Sequence, residues 1–138
     1  MEQRDFFMKQ IEQLGQALSK ILSDFLGLKS AGKVEQGIQT SYSQFKNNLD
    51  IDIEKLISLT KEELKKYTQE RNLKQEHLEI LSDYFKELGD SKMSINKSEA
   101  KTILTKAIEL LEIADEISET MSFARENNKN ILQIKINQ

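Results

Sequence analysis

Apolar residues recur three and four positions apart along almost the whole chain, which is the spacing of helices that bury one face. The clearest run lies at the start, where the pattern predicts an amphipathic helix over residues 3–26. Its apolar stripe consists of Phe7, Ile11, Leu14, Leu18, Ile21, Leu22 and Phe25. Gly27 follows the stripe and is suited to end this helix in a left-handed conformation.

Capping signals divide the next part of the chain. A second helix is predicted to begin near Ser30 and to carry Gly37 at a close helix crossing, since an interior Gly otherwise costs about 1 kcal/mol relative to Ala. Asp52 is predicted to cap a short helical turn that reaches Leu59. Thr60-Lys61-Glu62-Glu63 has the spacing of a capping box and predicts the start of another helix, which ends near residues 71–72.

The C-terminal half predicts a helical hairpin. One helix is expected over residues 73–88, ending at Gly89, and a polar loop over residues 90–96 connects it to a long helix over residues 97–118. Small residues recur every seven positions along the long helix, at Ala100, Ala107 and Ala114. Such a small-residue seam lets two helices approach closely.

A last helix completes the prediction, capped by Thr120 or Ser122 and extending to about residue 136. With no Pro, no Cys and only five Gly, the sequence contains few residues that interrupt helices. Its length suits one domain with one continuous core. We therefore predict a single all-α domain over residues 1–138, with five to six helices arranged as a bundle or as tetratricopeptide-like hairpins.

The predicted hairpin resembles one tetratricopeptide repeat. The positions that match are Leu78, Leu81, Phe85 and Gly89 in the first helix and Ala100, Leu104 and Ala107 in the second. The loop between the helices is about six residues longer than in that repeat, and Ser82 stands where the repeat has its small residue, usually Gly. The resemblance implies a tetratricopeptide-like hairpin followed by a C-terminal helix within residues 73–136.

A longer resemblance covers three segments of the chain. These are Ile-Glu-Gln-Leu-Gly at residues 11–15, Gly-Leu-Lys-Ser-Ala-Gly at residues 27–32, and Leu-Ile-Ser-Leu-Thr-Lys-Glu-Glu-Leu at residues 56–64. In these segments the chain resembles a family of bacterial all-helical proteins that has no assigned activity. The resemblance implies a tetratricopeptide-like fold and leaves the function open.

Charge and composition argue against several functions. The 20 basic and 23 acidic residues give a net charge of -3 and are interspersed, and the only arginines are Arg4, Arg71 and Arg125, so we expect no nucleic-acid partner. No run approaches the roughly 20 apolar residues of a transmembrane helix. The first residues lack the basic region of a signal peptide, and we therefore predict a cytoplasmic location.

Few residues offer catalytic or metal-binding chemistry. Residues 27–33 match most of a phosphate-binding P-loop, but Val34 replaces the magnesium-binding Ser or Thr and a helix precedes the motif, which favours a helix end, a turn and a helix start. His77 is the only histidine, has no Glu three residues before it, and is predicted to lie at the surface or at an edge. We predict no catalytic residue, no cofactor and no metal ligand.

Acidic residues are frequent in the second half of the long helix. They are Glu109, Glu112, Asp115, Glu116 and Glu119. A run of charges of this kind usually forms a solvated face. We predict that these carboxylates face solvent, with a metal-binding acidic edge as the less favoured interpretation.

Our leading hypothesis is a non-enzymatic protein–protein interaction or scaffold module, because catalytic residue sets are missing and the first helix has a wide apolar arc. The partner would be a protein, a peptide or a second copy of the chain. The candidate interface residues are Phe6, Phe7, Ile11, Leu14, Leu18 and Leu22.

Two alternatives remain. A small-ligand-binding or catalytic bundle would place Tyr42, Tyr84 and His77 around an internal pocket. Peripheral membrane contact through the first helix is less favoured, because surface-seeking helices usually have a basic polar face and acidic residues outnumber basic ones here.

Overall fold

A computed structural model describes the backbone of residues 2–138 and the side chains of residues 4–138. The described chain forms seven helices and no strand, which confirms the all-α class. They are α1 (Glu2–Ser30), α2 (Val34–Leu49), α3 (Ile53–Ser58), α4 (Lys61–Glu70), α5 (Gln75–Lys92), α6 (Lys97–Ser118) and α7 (Phe123–Ile136). The prediction of five to six helices was too low. The turn after Asp52, predicted as a short helical turn, is a helix of its own, α3.

The capping signals in the sequence place three helix starts correctly. The Asp52 carboxylate accepts a hydrogen bond from the backbone N–H of Lys55 at 3.2 Å. Thr60 and Glu63 form the reciprocal capping box, with distances of 3.2 and 3.0 Å. Ser122, rather than Thr120, caps α7. Each of these side chains satisfies a backbone donor that the first turn of a helix leaves without an intrahelical partner.

The predicted end of α1 was wrong. Gly27 is helical, α1 continues to Ser30, and Gly32, with φ 76°, is the left-handed residue of the turn before α2. The extra helical turn is held by tertiary contacts. The Lys29 ammonium lies 3.1 Å from the Glu87 carboxylate of α5. A Cβ atom on Gly37 would lie 3.3 Å from Leu28, so the predicted close crossing at Gly37 is present and involves this same turn.

The predicted end of α5 at Gly89 was also wrong. The helix continues through Gly89 to Lys92, which shortens the connection to α6 to residues 93–96. Gly89 is buried at the closest approach of the two helices, where a Cβ atom would lie 2.6 Å from Leu104 Cδ2. This glycine therefore permits helix packing and does not end the helix.

Helices α5 and α6 form the antiparallel centre of the fold. Ser82 on α5 donates to the Ala107 carbonyl on α6 at 2.8 Å. Helix α1 packs on α5 in the same general direction, α2 returns along α1, and α7 returns along α6. Helix α4 lies beside α6 in the same direction. One end of the bundle therefore contains the start of α1, the end of α4, the start of α5 and the α6–α7 turn.

The centre of the core is an aromatic cluster around Tyr84. Its ring centroid lies 4.7 Å from that of Phe45, 5.5 Å from that of Phe25 and 6.0 Å from that of Phe85. The Tyr84 hydroxyl shares a 2.7 Å hydrogen bond with Ser41, and burial raises the pKa of this phenol. Leucine and isoleucine side chains of α3 to α6 extend the same core.

Among the helices described, none is both long enough and apolar enough to cross a bilayer.

Candidate functional site

The first turns of α1 are poorly covered by the rest of the bundle. Every residue from 4 to 10 is exposed, and we call this segment the overhang. It includes three consecutive large apolar side chains, Phe6, Phe7 and Met8, which are 60%, 59% and 53% exposed. A run of three exposed apolar residues is unfavourable on the surface of an isolated soluble domain.

The exposed apolar residues continue the core-facing side of α1. Phe7, Ile11 and Leu14 lie four, three and four positions apart on the way to Leu18, so all four share one face of the helix. Leu18 is 2% exposed, Leu14 and Ile11 are half-buried, and Phe7 is exposed. We call this face of α1 the seam. Its side chains become more exposed toward the amino terminus.

The structure therefore divides the six candidate interface residues. Leu18 lies in the core and is not accessible to a partner, and Leu22 is half-buried against the same core. The other four, Phe6, Phe7, Ile11 and Leu14, belong to the overhang or to the incompletely covered seam. An interface on α1 would consequently be confined to its first half.

His77 anchors the covered part of the seam. Its ring is 1% exposed, and Nε2 lies 2.9 Å from the Ile11 carbonyl oxygen. Nδ1 accepts the Lys74 backbone N–H at 2.9 Å, so Nε2 carries the proton and donates to Ile11. The prediction of a surface histidine was wrong because this partner lies 66 residues away. The available signal was its position three residues after Lys74, where a side chain can cap the helix start.

A groove of about 420 Å³ lies on one side of the seam, where α1 passes over the junction of α4 and α5. We call it the lower groove. Its lining residues are Phe7, Gln10, Ile11, Leu14, Arg71, Asn72, Lys74 and His77. The apolar side chains come from α1, while the opposite edge carries two cations and none of the lining residues is acidic.

A second groove, of about 760 Å³, lies between α1 and α5 on the other side of the seam. We call it the upper groove. It is lined by Met8, Ile11, Glu12, Gly15, Gln16, Ser19, Lys20, Glu76 and Ile80. Its floor is apolar, and its edge carries two carboxylates and one ammonium group. The two grooves therefore differ in the sign of their edge charge.

Arg71 is held in place at the edge of the lower groove. Its guanidinium donates to the Leu49 carbonyl at 3.2 Å and lies 4.7 Å from the centre of the Tyr67 ring. Among the described residues its carboxylate partner is Asp50, at 3.5 Å, whose side chain is 95% exposed. An ion pair of this exposure and length is weak, so the edge keeps much of its positive charge.

A buried arginine connects the three C-terminal helices. Arg125 on α7 is 2% exposed and donates to Asp115 on α6 and to Glu79 on α5. Its remaining N–H groups reach Ser118 Oγ at 3.0 Å and the Thr120 carbonyl at 2.8 Å. Because these donors are all bonded within the protein, Arg125 stabilises the packing of the three helices and is not positioned to bind a substrate.

The acidic run on α6 is only in part the solvated face that the sequence predicted, because Glu116 and Glu119 are exposed whereas Asp115 is half-buried. Burial alone would raise the pKa of the Asp115 carboxyl, but hydrogen bonds from Lys129 and Arg125 outweigh burial and hold that pKa below its ordinary value. Glu112 and Glu116 face Lys61 and Lys65 of α4 at 3.4 and 2.8 Å. Most of these carboxylates thus bind cations from neighbouring helices.

The residues of the internal-pocket hypothesis do not converge. Tyr84 is fully buried in the filled aromatic core, and His77 lies two turns away on the same helix, against α1. Tyr42 is half-buried, and its hydroxyl has no hydrogen-bond partner among the described residues.

The P-loop-like segment forms the end of α1 and the turn before α2, which is the arrangement that the sequence favoured over a phosphate-binding loop. Within the described residues no group of three or more His, Cys, Asp or Glu side chains is placed to hold a metal ion.

Comparison of the chain with models of known families, with curated proteins and with solved structures gives no match.

Proposed function

We propose that this chain is a non-enzymatic helical interaction module that docks a protein partner, or a second copy of itself, on the overhang and the adjoining seam of α1. The observation that carries the proposal is the exposure of Phe6, Phe7 and Met8 at the end of an otherwise buried apolar face. These side chains expose roughly 300 Å² of apolar surface, whose removal from water is worth about 7 kcal/mol before association costs are subtracted.

The α5–α6 hairpin supports a scaffold role of tetratricopeptide type. Its two helices are antiparallel, and Gly89 and Ala100 lie where they approach most closely. The connection of residues 93–96 is shorter than the predicted loop of residues 90–96, which reduces one of the departures from the repeat. On this proposal the hairpin is the rigid platform on which α1 is mounted, and α1 provides the recognition surface.

Site-specific photocrosslinking tests the docking surface. A photoreactive amino acid is placed at Met8 in the overhang or, as the matched control, at Gln39, which is exposed on α2. Both variants are expressed in the cells that naturally produce the chain and are irradiated. The proposal expects a discrete adduct from Met8, either with another protein or with a second copy, and no equivalent adduct from Gln39.

Light scattering on the purified chain then separates the two kinds of partner. A mass that doubles with concentration, and that returns to the monomer mass in the variant Phe6→Ser/Phe7→Ser, identifies self-association. A monomer at every concentration, together with equal crosslinking from Met8 and Gln39, would contradict the proposed function.

A further inference from the structure

The two grooves beside the seam differ in their edge charge. Arg71 and Lys74 lie at the edge of the lower groove, where none of the lining residues is acidic. Glu12 and Glu76 lie at the edge of the upper groove, together with Lys20. A partner that enters the lower groove therefore meets an apolar wall on one side and positive charge on the other.

We propose that the lower groove binds a segment of a protein partner that presents a large apolar side chain close to an Asp or Glu carboxylate. The apolar side chain packs against Phe7, Ile11 and Leu14, and the carboxylate faces Arg71 and Lys74. This inference rests on the proposed function and adds the chemical class of the partner.

The size of the groove agrees with such a segment. Its volume of about 420 Å³ falls in the range of pockets that enclose a small ligand, about 300–1,000 Å³, and suits one or two side chains rather than a whole helix. Phe7 and Leu14 are seven residues apart on one face, which places them two turns apart along one wall. His77, which also lines the groove, is fixed by its two hydrogen bonds.

The charge of the groove also favours an acidic segment over a basic one. Arg71 is fixed by a carbonyl and an aromatic ring, and the side chain of Asp50, its carboxylate partner within the described part of the chain, is almost fully exposed. Lys74 is exposed and immediately precedes α5. A basic segment would meet repulsion from both side chains.

Selection from a phage-displayed library of random dodecapeptides, with the full chain as bait, tests this chemistry. We expect enriched peptides to carry Phe, Leu or Met within a few residues of Asp or Glu. Synthetic versions of these peptides should bind the chain in fluorescence anisotropy, and versions with Lys in place of the acids should bind at least about tenfold more weakly, because edge charges then repel.

Three variants locate the binding. Lys74→Glu should weaken the acidic peptides about tenfold, and Phe7→Ser should reduce binding to background. The matched control Lys33→Glu makes the same charge change at an exposed position in the turn between α1 and α2, at the opposite end of the bundle, and should alter binding less than twofold. Circular dichroism and the melting temperature of each variant establish that it is folded.

Enrichment of basic peptides, absence of any enrichment, or equal effects of Lys74→Glu and Lys33→Glu would overturn this inference. The proposed function has a separate readout. If the Met8 probe still forms its adduct, docking on α1 stands and only the partner chemistry is wrong. If neither peptides nor adducts are found, both proposals fail.

Discussion

Replacing Gly89 with Ala tests the packing of the central hairpin. Gly89 is buried where α5 packs on α6, and an added Cβ atom would lie 2.6 Å from Leu104 Cδ2, 2.7 Å from Leu104 Cγ and 3.3 Å from the Ala100 carbonyl oxygen. Leu104 is itself fully buried, and the Ala100 oxygen belongs to the backbone of α6. Neither neighbour can withdraw without shifting part of the core.

The magnitude follows from two opposing effects. Ala in place of Gly within a helix stabilises the folded state by about 0.5–1 kcal/mol. Overfilling a packed core costs about 1–3 kcal/mol, and two contacts below 3 Å place Gly89→Ala in the upper part of that range. We expect the free energy of unfolding to fall by about 1–2 kcal/mol, which lowers the melting temperature by about 4–8 °C at roughly 4 °C per kcal/mol.

Gly27→Ala is the matched control. Gly27 is also helical, and an added Cβ atom there would have no neighbour within 4 Å. In this variant only the higher helix propensity of Ala changes the free energy of unfolding. It should therefore unfold at a higher urea concentration than the original chain. Urea unfolding followed by circular dichroism at 222 nm gives both free energies by linear extrapolation.

A double-mutant cycle with Leu104→Ala identifies the cause. Removing the Leu104 side chain eliminates the two shortest contacts, so the effect of Gly89→Ala should change from destabilising to neutral or stabilising in that background. If Gly89→Ala stabilises the original chain as much as Gly27→Ala does, α5 and α6 do not approach each other as described. That result would refute the explanation given for the continuation of α5 through Gly89.

Three further predictions concern the network around Arg125, a helix cap and pH. Arg125→Ala leaves Asp115 and Glu79 without their guanidinium partner and should cost about 3–5 kcal/mol in urea unfolding, and a loss below 1 kcal/mol would show that the network is not structural. Thr60→Ala removes the capping box and should cost about 1 kcal/mol in the same assay, whereas unchanged stability would mean that this cap does not hold α4. Because hydrogen bonds lower the pKa of Asp115 in the folded state, its contribution to stability is present above the ordinary value of 3.8 and is lost as pH falls below it. The melting temperature of Asp115→Asn should thus fall less steeply between pH 5 and pH 3 than that of the original chain, and parallel curves would contradict this assignment.

The sequence predicts those features of the fold that depend on local interactions. The spacing of apolar residues identifies the helices, and Asp52, Thr60 and Ser122 identify helix starts because each cap bonds a residue three positions away. Helix ends at glycine are less predictable. Gly27 and Gly89 both resemble helix ends. Contacts with α2 and α5 extend α1 past Gly27, and Gly89 lies inside α5 because α6 packs too closely there for a larger residue.

The candidate site was predictable only in part, for a physical reason. Phe7 and Leu18 lie on the same face of α1 and look equivalent in the sequence, and only the arrangement of the other helices determines which of them is covered. His77 and Asp115 were predicted at the surface because their partners lie on other helices. Periodicity identifies an apolar face but not the point along the helix at which the bundle stops covering it.

The most direct test of the account is the yield of the Met8 photoadduct in native cells, measured for the chain with Phe7 intact and for Phe7→Ser. Phe7 is exposed, so we predict that Phe7→Ser reduces the adduct at least tenfold and changes the melting temperature by less than about 2 °C, as surface substitutions usually do. Unchanged adduct yield would contradict a docking role for the overhang. A melting temperature lowered as strongly as by Leu18→Ser, a substitution in the core, would show instead that Phe7 stabilises the fold.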